Sequence, residues 1–191
     1  MIKGLAFTFW GSTDPSAAMT NRSDEAFLVE GQHKYRLSWH KISSAQKIYK
    51  ALRPYSKGVL VYRDKIAKNA LTDADIKAGL DEPNTTINIH WSGDGNTNFS
   101  AGCQVIAGRS YIDPDGTLID CSPYSAISYS GLSNGQTHGA YNVLSDLVVC
   151  YNKLGDDTVW YTLGRENNLK EIVNTFPIDF LEKTLNQLKN I

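Results

Sequence analysis

The sequence predicts an α+β fold, rich in strands and with peripheral helices. Short segments with strand-like alternation or β-branched, aromatic runs fill the middle of the chain, whereas the clearest 3.6-residue apolar patterns gather toward its end. No repeat, linker or low-complexity tract interrupts the 191 residues, so a single domain over 1–191 is expected.

Taken in order, the opening apolar run alternates like a strand and ends after a few residues. It reads as mature structure rather than as a secretory signal. Residues 27–29 and 35–39 flank Glu30-Gly31-Gln32-His33, the pattern of a hairpin. Residues 44–55 carry Ala45, Ile48, Tyr49 and Leu52 at helical spacing, stopped near Pro54, and predict an amphipathic helix. Residues 58–62 read as a buried strand. Thr72-Asp73-Ala74-Asp75 has the hydroxyl and the acids of a helix N-terminus. Residues 87–91 alternate, with Ile87, Ile89 and Trp91 on one face and Asn88 and His90 on the other. Asp113-Pro114-Asp115-Gly116 predicts a tight turn between 111–112 and 117–119; it lacks the further oxygen ligands of a calcium loop. Residues 141–151 predict a helix with Tyr141, Leu144, Val148 and Tyr151 on one side and a stop at Gly155. Residues 158–163 predict a strand, and 177–188 a closing helix.

Composition removes several function classes. With 41% hydrophobic and 20% charged residues the chain is not intrinsically disordered. Nineteen Lys+Arg against twenty Asp+Glu give a net charge of −1, without a basic stretch, so no nucleic-acid partner is expected. No run approaches the roughly 18 apolar residues of a membrane span. The three cysteines, Cys103, Cys121 and Cys150, are widely spaced and form no C-x-x-C pair. A zinc ribbon and a disulfide framework are both disfavoured, and at least one thiol should be free unless chains pair. Cys150 reads as packing on a helix face, and Cys121 as a strand-end cysteine. His33 and His40 have no carboxylate or cysteine at ligand spacing and read as surface residues. No metal and no cofactor is expected.

The stretch that carries chemistry is 87–112. A strand delivers His90, a Gly/Asn/Ser-rich loop follows, and the chain reaches Ser100-Ala101-Gly102-Cys103. A nucleophilic cysteine needs an imidazole to take its proton, backbone N–H donors for the developing oxyanion, and close approach of backbone to substrate. Glycine before the cysteine permits that approach because it has no Cβ. Such a thiol should label rapidly near neutral pH.

His90, a loop, and then Ser100-x-Gly102-Cys103 resembles the signature of L,D-transpeptidases of the YkuD type, over about 18 of 191 residues. The resemblance implies a β-rich sandwich with small helices. It implies Cys103 as nucleophile, His90 as general base, and Ser100 and Gly102 as shapers of a turn whose amides near Gly102 and Cys103 bind the oxyanion. It implies thioester chemistry on peptidoglycan stem peptides, as transpeptidase or L,D-carboxypeptidase. Where the family usually carries an arginine, two positions after the cysteine, this chain has Val105; Gln104 and Arg109 are the nearest polar replacements. Together with Trp91 they are the expected substrate-binding residues. Without a recognisable export signal, the chain is similar to secretion-system effectors or phage-borne enzymes that act on the cell wall in the periplasm. An effector of that kind implies a cognate immunity protein. Two other readings stand beside this one. One is an NlpC/P60- or papain-like cysteine peptidase using Cys103 and His138; the other is a non-catalytic phage or secretion module. The aromatics Trp91, Phe99, Tyr124 and Tyr129 could line a groove or pack in a core.

Overall fold

The computed structural model describes residues 5–16, 25–42, 47–64, 70–79, 83–91, 100–122 and 139–164. Among these run β1 (Thr8–Ser12), β2 (Glu25–Leu28), β3 (Gly31–Ile42), β4 (Lys47–Pro54), β5 (Val61–Asp64), α1 (Asp73–Ala78), β6 (Ile89–Trp91), β7 (Gln104–Ile112), β8 (Leu118–Asp120), α2 (Gly139–Tyr151) and β9 (Thr158–Leu163). The architecture is strand-rich with few helices, a β-rich α+β arrangement. The larger sheet has the order β1-β7-β6-β4-β3-β9, with β8 also on β7; β2 and β5 form a separate two-stranded sheet. Pairing is antiparallel throughout the described strands except between β6 and β7, which run parallel.

Two local expectations are overturned. Residues 47–54 form a strand where a helix was expected. Ala51 and Leu52 are consecutive yet both buried, at 1% and 4% exposure. A central strand covered on both faces is apolar at adjacent positions, and over a short window that imitates helical spacing. Its neighbours β3 and β6 make β4 central. The expected hairpin between 27–29 and 35–39 is also absent. β3 spends its two edges on β4 and β9, so β2, whose four residues are all buried, pairs with β5 instead. His33 Nε2 still joins the segments, 2.7 Å from the Val29 carbonyl oxygen, so it is a bonded, half-buried side chain rather than a free surface one.

The other elements follow the sequence more closely. The strand expected at 58–62 begins at Val61, and Val59 makes an isolated bridge to Asn84. Asp75 accepts the Thr72 backbone N–H at 2.9 Å, closing the N-terminus of α1. The 113–116 turn forms as read: the Asp113 carboxylate accepts N–H bonds from Asp115 and Thr117, and Gly116 has φ +82°. On α2, Tyr141 is buried and its hydroxyl donates to the Ile89 carbonyl at 2.9 Å; Lys50 clamps the helix to β4 through Asn142 and Asp146, each at 2.9 Å. The expected stripe fails at its far end, where Tyr151 and Cys150 are exposed. The core joins Ala26, Leu28, Tyr35, Leu52, Val59, Val61, Ile87, Ile89 and Tyr141. The helix expected at 177–188, together with His138, Phe99, Tyr124 and Tyr129, lies outside the described residues.

Candidate active site

Cys103 stands one residue before β7, at the end of a turn built from its own polar atoms. The Ser100 hydroxyl donates to the Cys103 carbonyl at 2.8 Å and accepts the Gly102 N–H at 3.1 Å. The Ser100 carbonyl takes the Ser16 N–H, and the Ala101 carbonyl takes the Ala26 N–H, so β2 and the segment after β1 brace the turn from outside. Gly102 has φ +136°, and a Cβ there would lie 2.3 Å from the Ala26 carbonyl oxygen. Both conformation and space require glycine. Ser100 and Gly102 thus hold the turn that ends at Cys103. The Gly102 N–H, however, is spent on Ser100, whereas the Cys103 N–H makes no bond among the described residues.

The parallel register of β6 and β7 places His90 across from Val105 and Ile89 across from Gln104; one step earlier, Asn88 is level with Cys103. His90 is thus diagonal to the cysteine on the same sheet face, with Cα atoms about 8 Å apart by strand spacing and rise, a separation that ring side chains span. Its Nδ1 lies 2.7 Å from the Trp91 carbonyl oxygen. A carbonyl only accepts, so Nδ1 carries the proton and Nε2 keeps the lone pair a general base needs. No bond joins Nε2 to Cys103 in the resting structure. Instead the thiol donates to the Thr86 carbonyl at 3.4 Å and accepts the Asn88 backbone N–H at 3.3 Å.

Electrostatics keep both partners neutral. Burial drives the His90 imidazole down to about 4, against the pull of its Trp91 bond and with a smaller push from His40. Burial raises the half-buried Cys103 thiol above its ordinary value, more than the Asn88 N–H and Ser100 hydroxyl lower it. Rapid labelling near neutral pH, expected from the sequence, does not fit a thiol with a raised pKa.

The structure adds side chains that the sequence did not assign to a site. His40, expected on the surface, stacks on His90 with ring centroids 5.5 Å apart and planes 12° apart, and its Nδ1 lies 2.9 Å from Asn88 Nδ2. Asn88 Nδ2 donates there, so the two stacked imidazoles hold opposite tautomers. Tyr49, opposite His40 in register, sets its ring edge against His90 at 5.6 Å. His40 is itself held below its ordinary value by burial and by the charge of Arg53.

The expected substrate-binding residues do not gather around the thiol. Gln104 is 2% exposed and its amide is committed internally: Nε2 donates to the Gly102 and Thr13 carbonyls, and Oε1 accepts the Tyr161 hydroxyl at 3.1 Å. It props the turn from behind. Trp91 packs against the core and contributes its backbone carbonyl to His90. Arg109 lies six positions further along β7, on the order of 20 Å of extended chain, where its carbonyl takes the N–H and thiol of buried Cys121. Cys121 is accordingly remote from Cys103, and all three cysteines are free. No cluster of three metal-ligating side chains occurs among the described residues, and no helix among them is long and apolar enough to cross a membrane.

Compared with known proteins, the chain matches no family model, no curated protein and no solved structure.

Proposed function

We propose that this chain is a cysteine-dependent acyl-transfer enzyme of the L,D-transpeptidase type, with a sandwich core of that kind, acting on peptidoglycan stem peptides. The observation that carries the reading is the pairing at the β6–β7 junction: a half-buried thiol on a glycine-enforced turn, and one strand away an imidazole whose Nδ1–H is fixed on the Trp91 carbonyl so that Nε2 is the basic atom.

In the proposed reaction Cys103 Sγ attacks the carbonyl carbon of the L-centre that precedes a D-residue, as the thiol proton passes to His90 Nε2. The oxyanion forms against the Cys103 N–H. Collapse expels the amine, which takes the proton back from His90 and leaves a thioester on Cys103. An acceptor amine then completes transpeptidation, whereas water completes L,D-carboxypeptidase cleavage. His40, Asn88 and Tyr49 position the imidazole and do not enter the bond-making steps. The reading places the activity in the periplasm or cell wall, delivered by a secretion system or a phage, with an immunity protein as the partner of a secreted toxin.

The test is turnover of purified muropeptides followed by mass spectrometry. Cys103→Ala abolishes product formation while the circular dichroism spectrum and unfolding midpoint stay near wild type. Full turnover by that variant would refute the mechanism.

A further inference from the structure

The same sheet face carries two arginines whose charge nothing described on the chain neutralises. Arg36 on β3 and Arg53 on β4 are direct cross-strand partners, an arrangement of like charges that is unfavourable by itself. No carboxylate among the described residues bonds either guanidinium. Lys50, by contrast, has Asp146 at 2.9 Å. The nearby Asp156 carboxylate accepts the Thr158 N–H and hydroxyl and lies in the field of Lys34 and Lys153.

Register connects this pair to the thiol. β4 and β6 pair Ala51 with His90 and Leu52 with Ile89; the next step brings Arg53 level with Asn88, which is level with Cys103. At the usual strand spacing, Arg53 and Arg36 lie about 10 and 14 Å from Cys103 along one row, distances their long side chains shorten. Arg53 Nη2 is 3.5 Å from the Thr85 carbonyl oxygen, and the next carbonyl, that of Thr86, is the one on which the Cys103 thiol rests. Arg53 is also close enough to His40 for its charge to be felt there.

We propose that Arg53 and Arg36 form an anion cradle that binds a carboxylate of the peptide on which Cys103 acts. The guanidinium fork matches a carboxylate in two parallel bonds, and a bound anion removes the repulsion between the two arginines. The proposal rests on the reading of Cys103 as a nucleophile, and it makes the substrate a peptide with a free carboxylate near the scissile bond.

The test separates the two claims. Cys103 in the full chain is alkylated at about pH 9 with iodoacetate and with iodoacetamide, reagents of like chemistry and different charge, and peptide mapping gives each rate. At low salt the iodoacetate-to-iodoacetamide ratio exceeds that of the denatured chain by about 3- to 10-fold. Arg53→Gln and Arg36→Gln each lower the ratio by about 2-fold or more, leaving the iodoacetamide rate within about 2-fold of wild type. An unchanged ratio in Arg53→Gln overturns the cradle. If Cys103 resists both reagents, the nucleophile reading fails instead. The cradle is then judged in Cys103→Ser by amide chemical-shift titration with acetyl-dialanine and its C-terminal amide. Tighter binding of the carboxylate form by about 5-fold or more, lost in Arg53→Gln, supports the cradle, and equal binding of the two forms overturns it.

Discussion

Replacing His90 by Asn tests the electrostatics of the site without reference to any substrate. The amide nitrogen of Asn falls near the position of imidazole Nδ1, so the bond to the Trp91 carbonyl is kept while the titrating ring is removed. In the unfolded chain His90 takes a proton near 6.5; in the native structure burial holds it off until about 4. Between those values the unfolded state binds more protons. His90 therefore contributes its full stability above pH 6.5, and that contribution is lost as the pH falls toward 4. The 2.5 pH units between the two values correspond to about 3 kcal/mol at 1.36 kcal/mol per unit. Urea unfolding from pH 7.5 to 4 reads the difference directly, because the carboxylates and His40 titrate in both proteins and largely cancel. Wild type should lose about 3 kcal/mol more than His90→Asn over that range. Parallel curves, separated by a constant cavity cost, would show that His90 is not held neutral by burial and would undo the account of the site.

Two further outcomes follow from the turn. Gly102→Ala must place a Cβ 2.3 Å from the Ala26 carbonyl oxygen at φ +136°, and should cost at least about 2–3 kcal/mol by denaturant unfolding, well above the usual penalty for a surface substitution. Alkylation of Cys103 by iodoacetamide should be slower at pH 7 than in the denatured chain and should accelerate up to and beyond pH 9, since burial raises the thiol. A rate that is already flat at pH 7 would mean a preformed thiolate.

The contrast between what the chain disclosed in advance and what it withheld follows sequence distance. The Ser100–Cys103 turn, the 113–116 turn and the N-terminus of α1 are made by bonds between residues no more than four apart, so residue type and spacing report them directly. Period-two alternation likewise placed Asn88 and His90 on one face, where both meet His40. The setting of that face was not legible. His40 reaches Asn88 across 48 positions, and Tyr49 and Arg53 enter the site on β4, whose adjacent buried residues imitate a helix. Only the pairing of β4 with β3 and β6 decides in favour of strand, and no local window contains that information. Gln104 misled for a related reason. A polar residue beside a cysteine suggests contact with substrate, yet the β7 alternation turns it inward, where the Tyr161 hydroxyl and two carbonyls satisfy it.

The neutral resting pair constrains how the proposed reaction proceeds. Burial raises the Cys103 thiol and holds the His90 imidazole down at about 4, so moving the proton from sulfur to ring is uphill before the ions attract. That disfavours a thiolate waiting in the free protein. It is compatible with catalysis, because a turnover of about 10 per second corresponds to a barrier of about 16 kcal/mol, within which an uphill proton transfer can be accommodated. The proton must then leave sulfur as sulfur meets the carbonyl carbon, with charge appearing on the oxyanion rather than on the thiol. An anion seated on Arg53 lowers this cost, since it offsets the positive field that now depresses His40 and thereby favours an imidazolium in the stacked pair. In the proposed reaction, substrate charge and general base are thereby coupled through the stack of His40 on His90.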